Sequence, residues 1–153
     1  MITFLRSLFL YLFISGTYAA QEPVPLQNPI VMEVSQIKNL TNESVRKSLL
    51  AAGNKLGWSI VDKDVGVVRG TLKIRQHEVV VDISYGTQQM SATYISSTNL
   101  NFDPTPPPKS VTRESWMYPS APSGPVIHPN YQRWVNNLFK ETNTFLLLVA
   151  QLN

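Results

Sequence analysis

The sequence predicts an α+β fold, an antiparallel meander sheet of four to five strands with two helices packed on one face. Three observations predict it. Between Trp58 and Leu100, stretches with period-two alternation follow one another, separated by short turns. From Thr41 to Gly57, apolar residues recur at helical spacing between a polar cap and a glycine. From Pro129 onward a second apolar stripe recurs at the same spacing.

Taken in order, the chain opens with Arg6, the apolar run Leu8 to Ile14, then Gly16 and the small-residue site Thr17-Tyr18-Ala19. That is the pattern of a secretory signal peptide over residues 1–19, too short to span a bilayer. Cleavage after Ala19 or Ala20 leaves roughly 133 residues, the size of one domain. Residues 20–29, with Pro23, Pro25 and Pro29, read as a leader or linker, and 30–153 as a single domain with a proline-rich loop insertion at 103–125. Ile30 to Val34 is a short strand at the sheet edge. Asn39-Leu40-Thr41 and Asn42-Glu43-Ser44 are both glycosylation sequons, but this polar cluster reads first as a helix cap. A helix then runs from Thr41 or Asn42, with Val45, Leu49, Ala52 and Leu56 on its apolar face and Arg46, Lys47 and Lys55 on the other. Gly57 ends it.

Trp58 to Asp62 is a strand before a turn at Lys63–Gly66. In Val67–Arg75 the inward set is Val68, Gly70, Leu72 and Ile74; in His77–Tyr85 it is His77, Val79, Val81, Ile83 and Tyr85. A reversal at Arg75-Gln76 places Leu72 opposite Val79, Gly70 opposite Val81, Lys73 opposite Glu78 and Arg69 opposite Asp82. Apolar meets apolar and charge meets opposite charge, whereas a one-residue slip mixes the faces. Arg-Gln lacks the Asn-Gly or glycine chemistry that such a turn favours. Gly70 is expected to be small because Trp58 or Ile60 lies across it. Gly86, able to take positive φ, turns the chain into Met90–Thr98, with Met90, Ala92 and Tyr94 inward beside Ile83, Val81 and Val79.

Prolines at 104, 106, 107, 108, 119, 122 and 125 exclude ladder and helix from the next segment, a surface loop. Its aromatic cluster Trp116, Met117 and Tyr118 is a candidate interaction loop, docking on its own domain or on a partner. Pro129 then starts a helix striped by Tyr131, Trp134, Val135, Leu138, Phe139, Thr142, Phe145, Leu146 and Val149. The run Phe145 to Ala150 is apolar all round and calls for buried packing or a second protein. No stretch after the signal is long enough to span a membrane.

With no cysteine, an exported chain has neither disulfides nor thiolate chemistry and rests on its apolar core. A net charge of +3 with acids and bases interspersed argues against a nucleic-acid partner. The basic residues Arg69, Lys73 and Arg75 read as an ion-paired sheet surface, and Trp58 and Trp134 as core anchors.

The histidines are His77 and His128. His77 opens a strand, with Ser96 or Thr98 brought near it by the next hairpin, and His128 precedes the last helix. Together with Ser97, Asn99, Asn130 and Tyr131 they form a candidate polar rim in which imidazole can act near neutral pH. Each histidine also reads as a hydrogen-bonded structural residue at an element end. A nucleophile would be Ser96 or Ser97, without a G-x-S-x-G context, and no acid is spaced to complete a metal site. No catalytic residue, metal or cofactor is therefore assigned.

The pattern Gly57-Trp58-x-Ile60, Gly66-x-Val68-x-Gly70, Arg75-x-His77, Val81-x-Ile83-x-Tyr85, then Tyr94-x-x-Ser97-x-Asn99-Leu100 and Ile127-His128-x-x-Tyr131-x-x-Trp134, resembles a group of small exported bacterial proteins, many of them lipoprotein-like. The likeness covers most of Gly57 to Leu138. It implies a cell-envelope location and a fold, and no activity. Gln132 stands where that pattern has asparagine, the lipobox cysteine is absent and the proline insertion is long, which points to a soluble periplasmic or secreted form. The functional expectation is a non-enzymatic protein that binds an envelope protein or a small ligand; the alternative is a small envelope hydrolase with the histidines as acid and base.

Overall fold

The computed structural model describes residues 21–34, 37–106 and 124–151. The signal segment 1–19 and the cluster Trp116, Met117 and Tyr118 lie outside the described residues. Within them the order is β1 (Val24–Pro25), β2 (Ile30–Glu33), α1 (Asn42–Leu56), β3 (Trp58–Asp64), β4 (Val67–Ile74), β5 (His77–Tyr85), β6 (Gln89–Thr98), β7 (Val126–Ile127) and α2 (Asn130–Gln151). The five-stranded sheet has the order β2-β6-β5-β4-β3 with every pair antiparallel, and β1 pairs with β7 in a second, two-stranded sheet. The fold is α+β with an antiparallel meander.

The β4–β5 register follows from its side chains: Leu72 lies opposite Val79, Gly70 opposite Val81, Lys73 opposite Glu78 and Arg69 opposite Asp82. The turn accommodates its unfavourable residues by placing Arg75 at φ 56°, in the left-handed region. Gly70 is small for the expected reason, because a Cβ there would meet Trp58 Cε3 at 3.3 Å. The β5–β6 hairpin differs from expectation in two ways. Met90, Ala92 and Tyr94 face inward, but they pair with Tyr85, Ile83 and Val81, so the pairing is shifted two residues toward the Tyr85 end of β5. The turn is closed by a Gly86 N–H to Gln89 O bond of 3.0 Å, and Gly86 is not among the glycines with positive φ.

α1 starts where its cap requires. Thr41 Oγ1 accepts from Ser44 N–H at 3.1 Å, Thr41 N–H donates to Ser44 Oγ at 3.0 Å, and Gly57 ends the helix at φ 79°. Both sequon hydroxyls, Thr41 and Ser44, are thus used by the cap. Gly53 is the contact point with the sheet, since a Cβ there would sit 2.4 Å from Ile60 Cδ1. Val45, Leu49 and Ala52 of α1 and Tyr131, Val135, Leu138, Phe139 and Leu146 of α2 close over Val68, Leu72, Val79, Val81, Ile83, Met90 and Ala92. Each large side chain so buried contributes about 1.5–3 kcal/mol. Thr142 is buried among them and donates its hydroxyl to Leu138 O at 2.8 Å, which removes the cost of its polarity. In the far turn of α2, Leu147, Leu148 and Val149 are 42–51% exposed. Among the described residues no helix is long and apolar enough to cross a membrane.

Part of the predicted leader belongs to the folded body. Val24 and Pro25 pair with Ile127 and Val126, and Gln132 Nε2 donates to Pro25 O at 2.7 Å. Pro25 can join because a two-residue edge ladder does not need its missing N–H. Asp103 bridges the same Val126, so both ends of the proline-rich insertion are clamped together.

Candidate functional site

The rim is built on three consecutive residues after β6. Asn99 and Asn101 take left-handed φ values of 56° and 49°, and Leu100 between them is driven into the core at 1% exposure. Two left-handed residues around a buried leucine turn the carbonyls of Asn99 and Leu100 toward two different neighbours. Asn99 O meets His77 Nδ1 at 2.7 Å, and Leu100 O accepts from the His128 backbone N–H at 2.8 Å. The Asn99 side chain in turn donates from Nδ2 to Gln76 O at 2.7 Å, fastening the strained β4–β5 turn to the same place. Of the non-glycine residues with positive φ among those described (Asn39, Arg75, Asn99 and Asn101), all but Asn39 lie here. Such residues cost about 1–3 kcal/mol each in general, less for asparagine, and concentrate at functional sites.

Hydrogen bonding sets the protons on both rings. A carbonyl only accepts, so His77 Nδ1 carries the hydrogen and the neutral ring leaves a lone pair at Nε2. His128 Nδ1 accepts from the Asn130 backbone N–H at 3.1 Å, so its hydrogen is on Nε2. The His128 ring therefore stands in for a side-chain cap at the start of α2. Protonating His128 would break that bond, and its pKa lies below the ordinary imidazole value through burial, His77 and Arg133. The two imidazoles are close enough to feel one another and present opposite characters, an acceptor at His77 Nε2 and a donor at His128 Nε2.

The predicted residues divide. His77, Asn99, His128 and Asn130 come together, Asn130 through its backbone. Ser97 reaches the same side because of a bulge in β6 between the Val80–Ser96 and Val81–Tyr94 pairs, which turns Ser97 inward opposite Val79. Its Oγ pairs with Tyr94 Oη at 2.9 Å and not with an imidazole. Ser96 and Thr98 lie opposite Val80 and Glu78, on the other face from His77. Tyr131 is a correction: its position in the first turn of α2 faces the core, and the residue is fully buried, edge-on to Tyr94 at 5.5 Å between centroids. Its hydroxyl has no hydrogen-bond partner among the described residues, and burial raises its pKa. It supports the rim from beneath and is not a donor on it.

Sequence reasoning missed three rim residues. Trp134 is half-buried, and its ring is 6.5 Å from that of His77, so it borders the rim as well as anchoring α2. Arg133, exposed in the first turn of α2, acts electrostatically on His128. Asn101 supplies the second left-handed residue. The repeated asparagine of Asn99-Leu100-Asn101 is the signal that could have found it, because asparagine tolerates that conformation best after glycine.

Among the described residues no group of three or more His, Asp or Glu side chains could hold a metal. Neither histidine has a carboxylate partner among the described ion pairs and hydrogen bonds. At the opposite end of the molecule a cavity of about 450 Å³ is lined by Ile37, Lys38, Leu40, Leu146 and Val149. No protein-family profile, curated protein or solved structure matches the chain.

Proposed function

We propose that this chain is an exported, non-enzymatic binding protein of the cell envelope, and that its ligand or partner engages the rim of His77, Asn99 and His128 beside Trp134. The observation that carries this reading is the concentration of Arg75, Asn99 and Asn101, all left-handed, around two imidazoles that are each pinned at Nδ1. Burial of Leu100 and closure of the β4–β5 turn use these positions, and the same backbone holds the two rings in set orientations, as a binding site requires. Recognition suits the arrangement better than hydrolysis. Ser97 is committed to Tyr94, and each imidazole spends one nitrogen on backbone, so no nucleophile–base pair is assembled among these residues. Export rests on the Arg6, Leu8–Ile14 and Thr17-Tyr18-Ala19 pattern.

The test is site-specific photo-crosslinking in expressing cells, with the probe at Gln76 beside the rim or at Val65 in the opposite turn, together with native mass spectrometry of the protein recovered from the envelope. The expected result is an adduct or bound mass that depends on Gln76 placement and is lost in the His77→Ala/His128→Ala double variant, on a chain whose amino terminus is Ala20 or Gln21. Equal labelling from Val65, or no loss in the double variant, would refute the rim as the binding site.

A further inference from the structure

We infer that the cavity between the segment 37–41 and the last turns of α2 binds the aliphatic chain of a single-chain anionic amphiphile, of the long-chain carboxylate class. This second site lies at the far end of α2 from the rim and does not depend on the rim being a binding site. Its volume of about 450 Å³ falls within the range of small-molecule sites, about 300–1,000 Å³ in general. Its apolar walls are aliphatic. Ile37 and Leu40, both packed in part against the core, line it together with Leu146, Val149 and Ala150. No aromatic ring and no acid is among the described residues of the lining. Leu147, Leu148 and Val149 of the same turn are 42–51% exposed, so apolar surface continues beyond the cavity. Covering it with a hydrocarbon chain gains about 25 cal/mol per Å².

The polar groups of the lining narrow the class. Thr41 and Ser44 spend their hydroxyls on the cap of α1, where Ser44 Oγ donates to Thr41 O at 2.8 Å and Ser44 N–H donates to Thr41 Oγ1. Lys38 and Asn39 are the polar side chains that remain. A sugar or a peptide, which brings many groups that must be hydrogen-bonded, finds few partners here, whereas a hydrocarbon chain leaves none unmatched. Lys38 is the one charged residue of the lining, and it has no carboxylate within ion-pair distance among the described residues. Glu43, the acid in the first turn of α1, lies beside Arg46 and Lys47 instead. The helix ends then set the direction of the ligand. The last turn of α2 has no basic side chain and is the negative end of its helix, while the first turn of α1 is a positive end. The anionic head is therefore placed at Lys38 and the start of α1, and the tail among Leu40, Leu146 and Val149.

The experiment is a methyl NMR titration of the full mature chain with dodecanoate below its micellar concentration, set against methyl dodecanoate and dodecyltrimethylammonium. Dodecanoate is expected to shift the Ile37, Leu146 and Val149 methyls saturably, with the ester and the cation about tenfold or more weaker. Lys38→Gln should weaken dodecanoate binding by about tenfold. Ala150→Trp, at an exposed position of the lining, should fill the cavity and abolish binding, with unchanged thermal melts showing that the fold persists in both variants. Absence of a saturable shift overturns the inference. Equal binding of the cation overturns the anionic head, and dodecanoate binding that survives Ala150→Trp overturns the site. Vesicle co-sedimentation and sedimentation equilibrium cover the two other occupants of the exposed turn. Capture by phosphatidylglycerol vesicles without dodecanoate binding would assign a bilayer surface, and a dimer dispersed by Leu148→Glu would assign a second copy of the chain; either result overturns the inference.

Discussion

In the β3–β4 turn, the left-handed position falls on Gly66 at φ 73°, which has no Cβ to object. At the other end, three such positions fall on Arg75, Asn99 and Asn101. The charges divide in the same way. Arg46 with Asp62 and Lys63 with Asp82 neutralise the first end, whereas Arg75 and Arg133 are without a described counter-ion at the second. The β3–β4 turn takes its left-handed position on glycine, whereas the other end takes three on residues with side chains, beside two imidazoles. The difference supports the proposed site by where the chain accepts cost.

The largest effect should come from the plug that holds the strained end together. Leu100→Ala removes a side chain buried between the two left-handed asparagines and should destabilise by about 3 kcal/mol in urea unfolding. A loss below about 1 kcal/mol would mean that the rim is not anchored through the core. Next, the two ends should answer opposite backbone substitutions with opposite signs. Gly66→Ala forces a Cβ into the left-handed region and should cost about 1 kcal/mol, while Asn101→Gly relieves it and should stabilise by about 0.5–1 kcal/mol. Equal signs in thermal melts would erase the contrast.

Much of the fold was legible because alternation in β4 and β5 admits one pairing, and because Thr41 and Gly57 mark the ends of α1 without help from tertiary contacts. What was not legible is irregular. The bulge that turns Ser97 inward leaves no mark in a period-two pattern already weakened by Ile95-Ser96-Ser97, and β1 is two residues long and contains a proline. The reason for Gly53 within the helix lies across the interface, at Ile60, where a helical pattern does not show it. For the site, the histidines and Asn99 could be chosen by residue type. The burial of Tyr131 and the approach of Trp134 to His77 depend on how α2 rolls against the sheet, which a helical stripe this broad does not determine.

The paired and unpaired charges should also separate on the pH axis. The Arg69 hydrogen bond, with Lys63, holds the Asp82 carboxyl below its ordinary value despite partial burial. That contribution is complete above about pH 4 and is lost as pH falls through the depressed folded value. Asp82→Asn should remove that acid-side slope and cost about 1 kcal/mol at neutral pH, the carboxylate being only 13% exposed. The smallest effect belongs to His128. Its pKa is depressed in the folded state, so the unfolded chain binds more protons once pH drops below about 6.5, and stability declines from there toward the folded value. His128→Gln should flatten that mildly acidic slope in equilibrium unfolding and leave the Asp82 slope untouched. An unchanged slope in the variant would show that His128 is not the group responsible.

The central claim is that Asn99 and Asn130 hold the two imidazoles in opposite protonation patterns at one strained rim. Imidazole ¹⁵N spectra of the mature chain, recorded above the ordinary histidine pKa, test it directly. The account predicts the hydrogen on Nδ1 in His77, held there by the Asn99 backbone carbonyl, and on Nε2 in His128. Two rings carrying their hydrogen on the same nitrogen would contradict it.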